Sequence, residues 1–213
     1  MSGRLSGRRF DADHDVVTEA MLFLGDLDAE YIGEAAAHAT HYEPVPIDDF
    51  ADLIARVPDE VIRRSTFVDV GSGLGRAVFL AMRLPFKRIV GIEISAALNE
   101  TAKENLEKLH GLDARCTDVR LENEDARTFA YPSGDLLVFL FNPFDADALR
   151  ATLARIAARE GAGATRLIYH TPEHVGVARE FGYPMLRVAE NAAVALTVDV
   201  EQDADRHEVR QDG

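Results

Sequence analysis

The sequence predicts an α/β fold: a doubly wound, mostly parallel sheet of seven strands with an N-terminal helical cap. Two patterns carry this prediction. Residues 66–94 contain an apolar β-rich run at 66–70, a glycine turn, a helical run at 76–83 and a second apolar run at 88–92 that ends in Glu93, which is the order of one βαβ unit. Residues 136–141 are six consecutive apolar residues, typical of a strand that helices bury on both faces. Strands and helices alternate along the rest of the chain, as in a parallel sheet.

The chain divides into three predicted segments. Residues 1–60 are expected to form a helical lid and an extended strap, residues 61–200 the main domain, and residues 201–213 a disordered charged tail. Within the first segment, helical periodicity begins at residue 13 and runs to residue 39, after a polar start that we expect to be mobile. Gly25-Asp26 is expected to break this pattern, with a second helix near residues 28–39. Because the segment precedes the glycine turn, it is able to lie across the strand ends.

The remaining elements follow from capping residues and turn signals. Asp48 or Asp49 is expected to cap a helix that carries Phe50, and Ser95 a helix that Gly111 ends. Glycine and proline separate the elements after that. The sequence predicts strands at 118–121, 136–141 and 166–169, helices at 145–159 and 172–181, and a closing hairpin of 185–189 with 193–200.

Composition excludes several classes of function. The net charge is −14, and a duplex-binding surface needs a basic face, so nucleic acid is an unlikely partner. No apolar run reaches the length of a membrane span, and no signal-peptide core follows the N-terminal arginines. The single cysteine, Cys116, is unable to form an internal disulfide, which fits the reducing cytoplasm. We therefore expect a cytoplasmic protein without a membrane association.

The glycine turn, Gly71-Ser72-Gly73-Leu74-Gly75, predicts a nucleotide-type pocket at the strand ends. Glycines let the backbone turn sharply and approach a ligand, and the helix that follows offers free N–H groups. Asp69 precedes the turn, and Glu93 lies 18 residues after Gly75, where a carboxylate is able to accept from a ribose diol. A dinucleotide fingerprint would require a small residue where Arg76 stands.

These residues resemble the motifs of a known family. The pattern Asp-x-Gly-x-Gly-x-Gly resembles motif I of the class I S-adenosylmethionine (SAM)-dependent methyltransferases, and Gly91-Ile92-Glu93 resembles their motif II. Tyr42-Glu43-Pro44 ahead of motif I, together with Asn142-Pro143-Phe144, is similar to the non-SET histone lysine methyltransferases and their uncharacterised bacterial relatives. The Asn-Pro-Pro-aromatic motif of amino-group methyltransferases is also similar, but the second proline is missing here. No basic nucleosome-binding extension is present, so a histone substrate is not implied.

The resemblance covers roughly residues 40–200. It implies a SAM-dependent methyltransferase whose acceptor is a protein lysine or a small molecule. A SAM-binding regulatory protein without catalysis and a nicotinamide-dependent oxidoreductase are the alternatives. The implied cofactor-binding residues are Tyr42, Asp69, Gly71, Ser72, Gly73, Gly75, Glu93, Ile94, Asp125, Ala126 and Asn142. The implied catalytic residues are Tyr42, Asn142 and His170, and no metal site is expected.

The resemblance gives several of these residues specific roles. Asp69 would bind the cofactor's ammonium group, and Tyr42 would cover its sulfonium. Asp125 would accept from the adenine amino group and Ala126 would offer its backbone N–H, although Asp125 is also a good helix cap and Glu124 is close enough to act instead.

Two residues near strand ends have open alternatives. Asn142 ends a strand, where it either orients the nucleophile or belongs to a simple turn. His170 ends a later strand and is either a general base or a solvent-exposed histidine. His170 and His174 make a poor metal pair, since Pro172 breaks the helix that would align them and no third ligand is evident.

Overall fold

The computed structural model describes residues 7–19, 22–23, 41–141, 144–189 and 192–195. The helices are α1 (Gly7–His14), α2 (Ile47–Ile54), α3 (Asp59–Arg64), α4 (Arg76–Met82), α5 (Ala96–Lys108), α6 (Ala146–Ala157) and α7 (Val175–Glu180). The strands are β1 (Leu22–Phe23), β2 (His41–Tyr42), β3 (Thr66–Val70), β4 (Arg88–Glu93), β5 (Val119–Asn123), β6 (Gly134–Phe141), β7 (Ala162–His170), β8 (Leu186–Ala189) and β9 (Ala192–Ala195). No helix in these ranges is long and apolar enough to cross a membrane.

The main sheet has the strand order β5-β4-β3-β6-β7-β9-β8. The five strands from β5 to β7 run parallel, while β9 and β8 form an antiparallel hairpin at the edge. The chain builds outward from β3 to β5 and then returns to the other side of β3 with β6. An α/β fold with a parallel sheet is therefore confirmed, and the point of reversal lies between β3 and β6, where open α/β sheets bind ligands.

Helices cover both faces of this sheet because successive strand residues point in opposite directions. In β3, Phe67 packs into one apolar core with α2 and α4, whereas Val68 packs into a second core with α6 and α7. Both side chains are fully buried. The ring of Phe50 on α2 meets Phe67 and Phe139 edge to face at 6.1 and 5.5 Å between centroids. These contacts hold α2 over the sheet.

Two predictions about the first segment are wrong. Helix α1 begins at Gly7, within the part expected to be mobile, and ends where Asp15 adopts a φ of 56°. Residues 16–19 are not helical, although the periodicity predicted a helix there. A side-chain contact holds this stretch outside the helix: the Asp11 carboxylate accepts from the backbone N–H groups of Thr18 and Glu19, each at 2.7 Å. The predicted second helix, residues 28–39, lies outside the described residues.

The predicted caps have a mixed outcome. Ser95 caps α5 as predicted, since its Oγ accepts from the Leu98 N–H at 3.3 Å. The N-cap of α2 is Pro46 and not Asp48 or Asp49, both of which lie in the first turn of that helix. The predicted tail at 201–213, the end of the predicted hairpin after residue 195, and residues 142–143 lie outside the described residues.

Candidate functional site

A cavity of about 410 Å³ lies at the carboxyl ends of the parallel strands. It spans the reversal between β3 and β6 and extends to the end of β7. Its wall includes residues from every strand end that the sequence singled out, together with the extended strap at 43–46 that leads into α2. The predicted cofactor and catalytic residues in the wall are Asp69, Gly71, Ser72, Glu93, Ile94, Asp125, Ala126 and His170.

The glycine loop joins two neighbouring strands at this edge. The backbone N–H groups of Gly71 and Ser72 both donate to the carbonyl oxygen of Ile92, at 2.9 and 3.0 Å, which ties the loop to β4. Gly75 is the N-cap of α4, with a φ of 92°, and a Cβ there would lie 2.7 Å from Cζ of Phe79. Gly75 therefore acts behind the cavity wall, where it lets the loop pass directly over the helix.

Glu93 is held at the floor of the site by backbone donors. Its Oε2 accepts from the Gly73 N–H at 2.9 Å and its Oε1 from the Ser95 N–H at 2.8 Å. The side-chain amide of Asn123 donates to the carbonyl oxygens of Glu93 and Ile94. Each carboxylate oxygen keeps a further lone pair, so Glu93 is still able to accept bonds from a ligand. Gly73 therefore contributes by orienting Glu93.

Two buried carboxyl groups share this end of the cavity. Asp69 and Glu93 are exposed by only 4% and 6%. Burial, followed by the nearby charge of Glu93, raises the pKa of Asp69 to about 8. Burial also raises the pKa of Glu93, although the backbone N–H bonds from Ser95 and Gly73 oppose this shift. The two carboxyl groups lack a cationic partner among the described residues, so the site favours a ligand with positive charge and hydroxyl donors.

Arg76 does not neutralise these carboxyl groups. It lines the cavity and is, among the described residues, the only arginine or lysine in that wall. Its guanidinium is instead held by the N-terminal segment: it donates to Glu19 at 2.9 Å, to Asp11 at 3.4 Å and to the Thr18 hydroxyl, and it lies over the ring of Phe10. Its positive charge is therefore committed to anchoring α1 against α4.

Asp125 has a strong partner of its own. Its two carboxylate oxygens accept from the guanidinium of Arg127 at 2.6–3.0 Å, and Oδ1 also accepts from the backbone N–H of Arg127. Asp125 thus stabilises a turn and not a helix, so the helix-cap alternative from the sequence is wrong, and Asp125 also lines the cavity. Glu124, the other candidate, is exposed and lines the same wall, and Ala126 is buried beside them.

The rest of the cavity wall combines aromatic and acidic groups. Phe139, Phe141 and Phe144 contribute apolar surface, and Glu43, Asp49 and Glu173 contribute carboxyl groups. The predictions from sequence gave none of the three acids a role in the site, although Asp49 was a candidate helix cap and Glu43 belonged to the Tyr42-Glu43-Pro44 motif. The three lie on separate elements, and no spacing rule links them. The described residues contain no group of three or more His, Cys, Asp or Glu arranged to hold a metal ion.

His170 is buried, which contradicts the solvent-exposed alternative. The residue is only 3% exposed and its Nε2 donates to Asp49 Oδ2 at 3.1 Å. The predicted role of Asn142 falls outside the described residues. Only the backbone of Tyr42 is described, in β2 opposite Leu22. His174 is half-buried and precedes α7.

No protein-family model and no curated protein matches this chain. Among solved structures, a SAM-dependent methyltransferase from Leishmania major is 14% identical, with 70% of each chain covered and a TM-score of 0.51. A TehB-like SAM-dependent methyltransferase from Corynebacterium glutamicum is 18% identical over 68% of this chain and 84% of that one, with a TM-score of 0.47. A precorrin 8w decarboxylase from Methanobacterium thermoautotrophicum is 14% identical over 72% and 86%, at 0.49. The first likeness shows a shared fold, and the other two are too weak to carry an argument.

Proposed function

We propose that this protein is a SAM-dependent methyltransferase. The observation that carries the proposal is the buried pair Asp69 and Glu93 beside the glycine loop, which lacks a cationic partner among the described residues. SAM brings an ammonium group, a sulfonium and a ribose diol, which are the cations and hydroxyl donors that two buried carboxyl groups require. The residues present therefore fit this cofactor.

The proposed contacts follow from the position of each group. Glu93 accepts from the ribose hydroxyls with its remaining lone pairs, and Asp69 receives the ammonium group. The Oγ of Ser72 is buried without a hydrogen-bond partner in the described part of the chain, so it is available to a ligand. Asp125 or Glu124 accepts from the adenine amino group, beside the backbone of Ala126. Ile94 and Leu98 supply apolar surface.

When bound, SAM supplies an electrophilic methyl group on a sulfonium, and the sulfur leaves as a neutral thioether when an acceptor takes that methyl. The protein's part is then to exclude water, align the acceptor and remove a proton from it. The aromatic wall of Phe139, Phe141 and Phe144 keeps the transfer end dry. We propose that Tyr42 and Asn142 help to cover the cofactor and orient the acceptor.

The acceptor is proposed to be a protein lysine or a small molecule, and the cavity favours one that is neutral or cationic. Glu43, Asp49 and Glu173 line the cavity, and its described wall offers no uncommitted arginine or lysine. An anionic acceptor, including a nucleic-acid backbone, would meet electrostatic repulsion from these acids. Residues 1–60 are proposed to act as the lid of this site, and the protein is proposed to work in the cytoplasm.

A nicotinamide dinucleotide fits the same cavity poorly. Its pyrophosphate is anionic, whereas Asp69 and Glu93 are acidic and Arg76 is already paired with Asp11 and Glu19. We further propose that the protein is related to the non-SET lysine methyltransferases. This proposal rests on Tyr42-Glu43-Pro44 and its position before the glycine loop.

A thermal-shift comparison of SAM, S-adenosylhomocysteine and NAD tests the proposal. At a concentration 100 times its Kd, a ligand of the folded state adds about 2.7 kcal/mol, which is roughly 5–10 °C in Tm for a chain of this size. We expect this shift with SAM and S-adenosylhomocysteine and none with NAD. Stabilisation by NAD alone would overturn the proposal.

Catalysis needs a second measurement. Incubation of the protein with methyl-labelled SAM and separate pools of peptides and small metabolites is expected to transfer label to one pool and to form S-adenosylhomocysteine. SAM binding without S-adenosylhomocysteine formation in either pool would favour the regulatory alternative.

A further inference from the structure

Asp49 and His170 meet at the cavity wall although 121 residues separate them in sequence. Asp49 lies in the first turn of α2, after the strap, and His170 is the last residue of β7. The Nε2 of His170 donates to Asp49 Oδ2 at 3.1 Å, and both residues line the cavity. The pair therefore connects α2, which follows the strap, to the end of β7, two strands beyond β3 on the side away from Glu93.

The environment of the ring selects one protonation pattern. A carboxylate on Nε2 holds the proton there, which leaves the lone pair on Nδ1. The Nδ1 atom is buried and has no hydrogen-bond partner among the described residues. The ring of Phe141 stands edge to face with the imidazole, with centroids 4.5 Å apart and planes at 84°, and this contact fixes the ring's orientation. A buried acceptor without a donor is costly, and an incoming N–H or O–H group would supply that donor.

We propose that His170 is the proton acceptor for the methyl-accepting group, and that Asp49 is a positioning residue that orients the imidazole. This inference rests on the proposed function. The proton passes from the acceptor's N–H or O–H to Nδ1 of His170, and the electron pair it leaves becomes the nucleophile. Asp49 offsets the positive charge that the ring gains, and the proton is later released to solvent.

Other charged groups surround this pair and share its electrostatics. Glu43 lies on the strap and Glu173 follows β7, and both line the cavity. Asp69 and Glu93 lie at the ends of β3 and β4, and burial raises the pKa of both, so they bear less on the charge of the ring than Asp49 does. The described wall contributes no uncommitted arginine or lysine that would oppose a protonated ring.

Sinefungin tests the proposal without a known acceptor. In this analogue of SAM a carbon bearing an ammonium group replaces the methyl sulfonium, so it presents N–H donors where the acceptor reacts. The measured quantity is the affinity for sinefungin divided by that for S-adenosylhomocysteine, which lacks this group. His170→Gln keeps a donor for Asp49 but removes Nδ1, and Asp49→Asn removes the charge while retaining shape.

Two matched controls lie close in sequence to the residues being tested. Asp48→Asn removes the same charge from the same turn of α2, and His174→Gln changes a histidine four residues away that does not line the cavity. We expect His170→Gln and Asp49→Asn to lower the affinity ratio about tenfold, as for a lost hydrogen bond to a charged group, and the controls to leave it within about twofold. An unchanged ratio in His170→Gln would overturn the proposal.

Nitrogen-15 NMR of the imidazole provides an independent readout. In the wild type, His170 is expected to carry its proton on Nε2, and Asp49→Asn is expected to shift this tautomer while Asp48→Asn does not. A proton on Nδ1 in the wild type would also overturn the proposal. If the wild type binds neither sinefungin nor S-adenosylhomocysteine, the proposed function fails first, which separates that failure from this one.

Discussion

Replacing Asp69 by asparagine tests the electrostatics of the proposed site. The folded protein raises the pKa of Asp69 from 3.8 to about 8, because the carboxyl is buried and lies near Glu93. Between these values the folded state keeps its proton while the unfolded state releases one. The unfolded state therefore binds fewer protons, and stability contributed by this group falls as pH rises from about 4 to about 8.

The size of the effect follows from one proton per molecule. Each pH unit inside that window costs about 1.4 kcal/mol of unfolding free energy, so raising the pH from 5 to 7 costs roughly 2–3 kcal/mol through Asp69 alone. The asparagine of Asp69→Asn does not titrate, so the unfolding free energy of this variant lacks this pH-dependent loss. The unfolding free energy of the variant relative to the wild type is therefore expected to rise by roughly 2–3 kcal/mol between pH 5 and 7.

Urea unfolding of both proteins at pH 5, 6 and 7 measures this difference. The control is Asp113→Asn, which removes an exposed carboxyl from a loop and should follow the wild type at every pH. If the difference between wild type and Asp69→Asn stays constant from pH 5 to 7, Asp69 is ionised in both states, and the argument for a cation-seeking pocket is refuted.

Three further predictions concern the proposed site and its glycine loop, and a fourth provides a comparison in α7. Binding of cationic SAM should drive the proton off Asp69, so calorimetry at pH 7 in buffers of different ionisation enthalpy should show up to one proton released; identical heats would contradict this. Glu93→Ala should weaken SAM by roughly 1.5–3 kcal/mol through lost ribose bonds, and unchanged affinity by calorimetry would remove Glu93 from the site. Gly75→Ala should destabilise the fold by roughly 1–3 kcal/mol because of its φ of 92° and the contact with Phe79. Gly176 lies inside α7, and a Cβ added there would have no atom within 4 Å of it, so Gly176→Ala should instead stabilise the fold slightly. Chemical denaturation of the two variants measures both effects.

The central βαβ unit was predictable because its signals are local. The predicted strand at 66–70 matches β3, the helix begins at Arg76 as expected, and the next strand ends at Glu93. Apolar runs, glycines at positive φ and the Ser95 cap each act within a few residues of chain. The first segment was predicted less well, because side chains outside the helical pattern hold residues 17–19. The side chain of Asn105 on α5, for example, bonds the backbone of Val17 from 88 residues away.

By itself, the sequence determined the fold class, the glycine loop and the two acids beside it, since each depends on neighbouring residues and on the period of apolar side chains. Only the tertiary structure decided which groups are available to a ligand. In the folded chain, Arg76 binds the N-terminal segment and Asp49 contacts His170. Asp69 and Glu93 have no counter-cation among the described residues. Charge pairing and burial act through space, and no spacing along the chain encodes them.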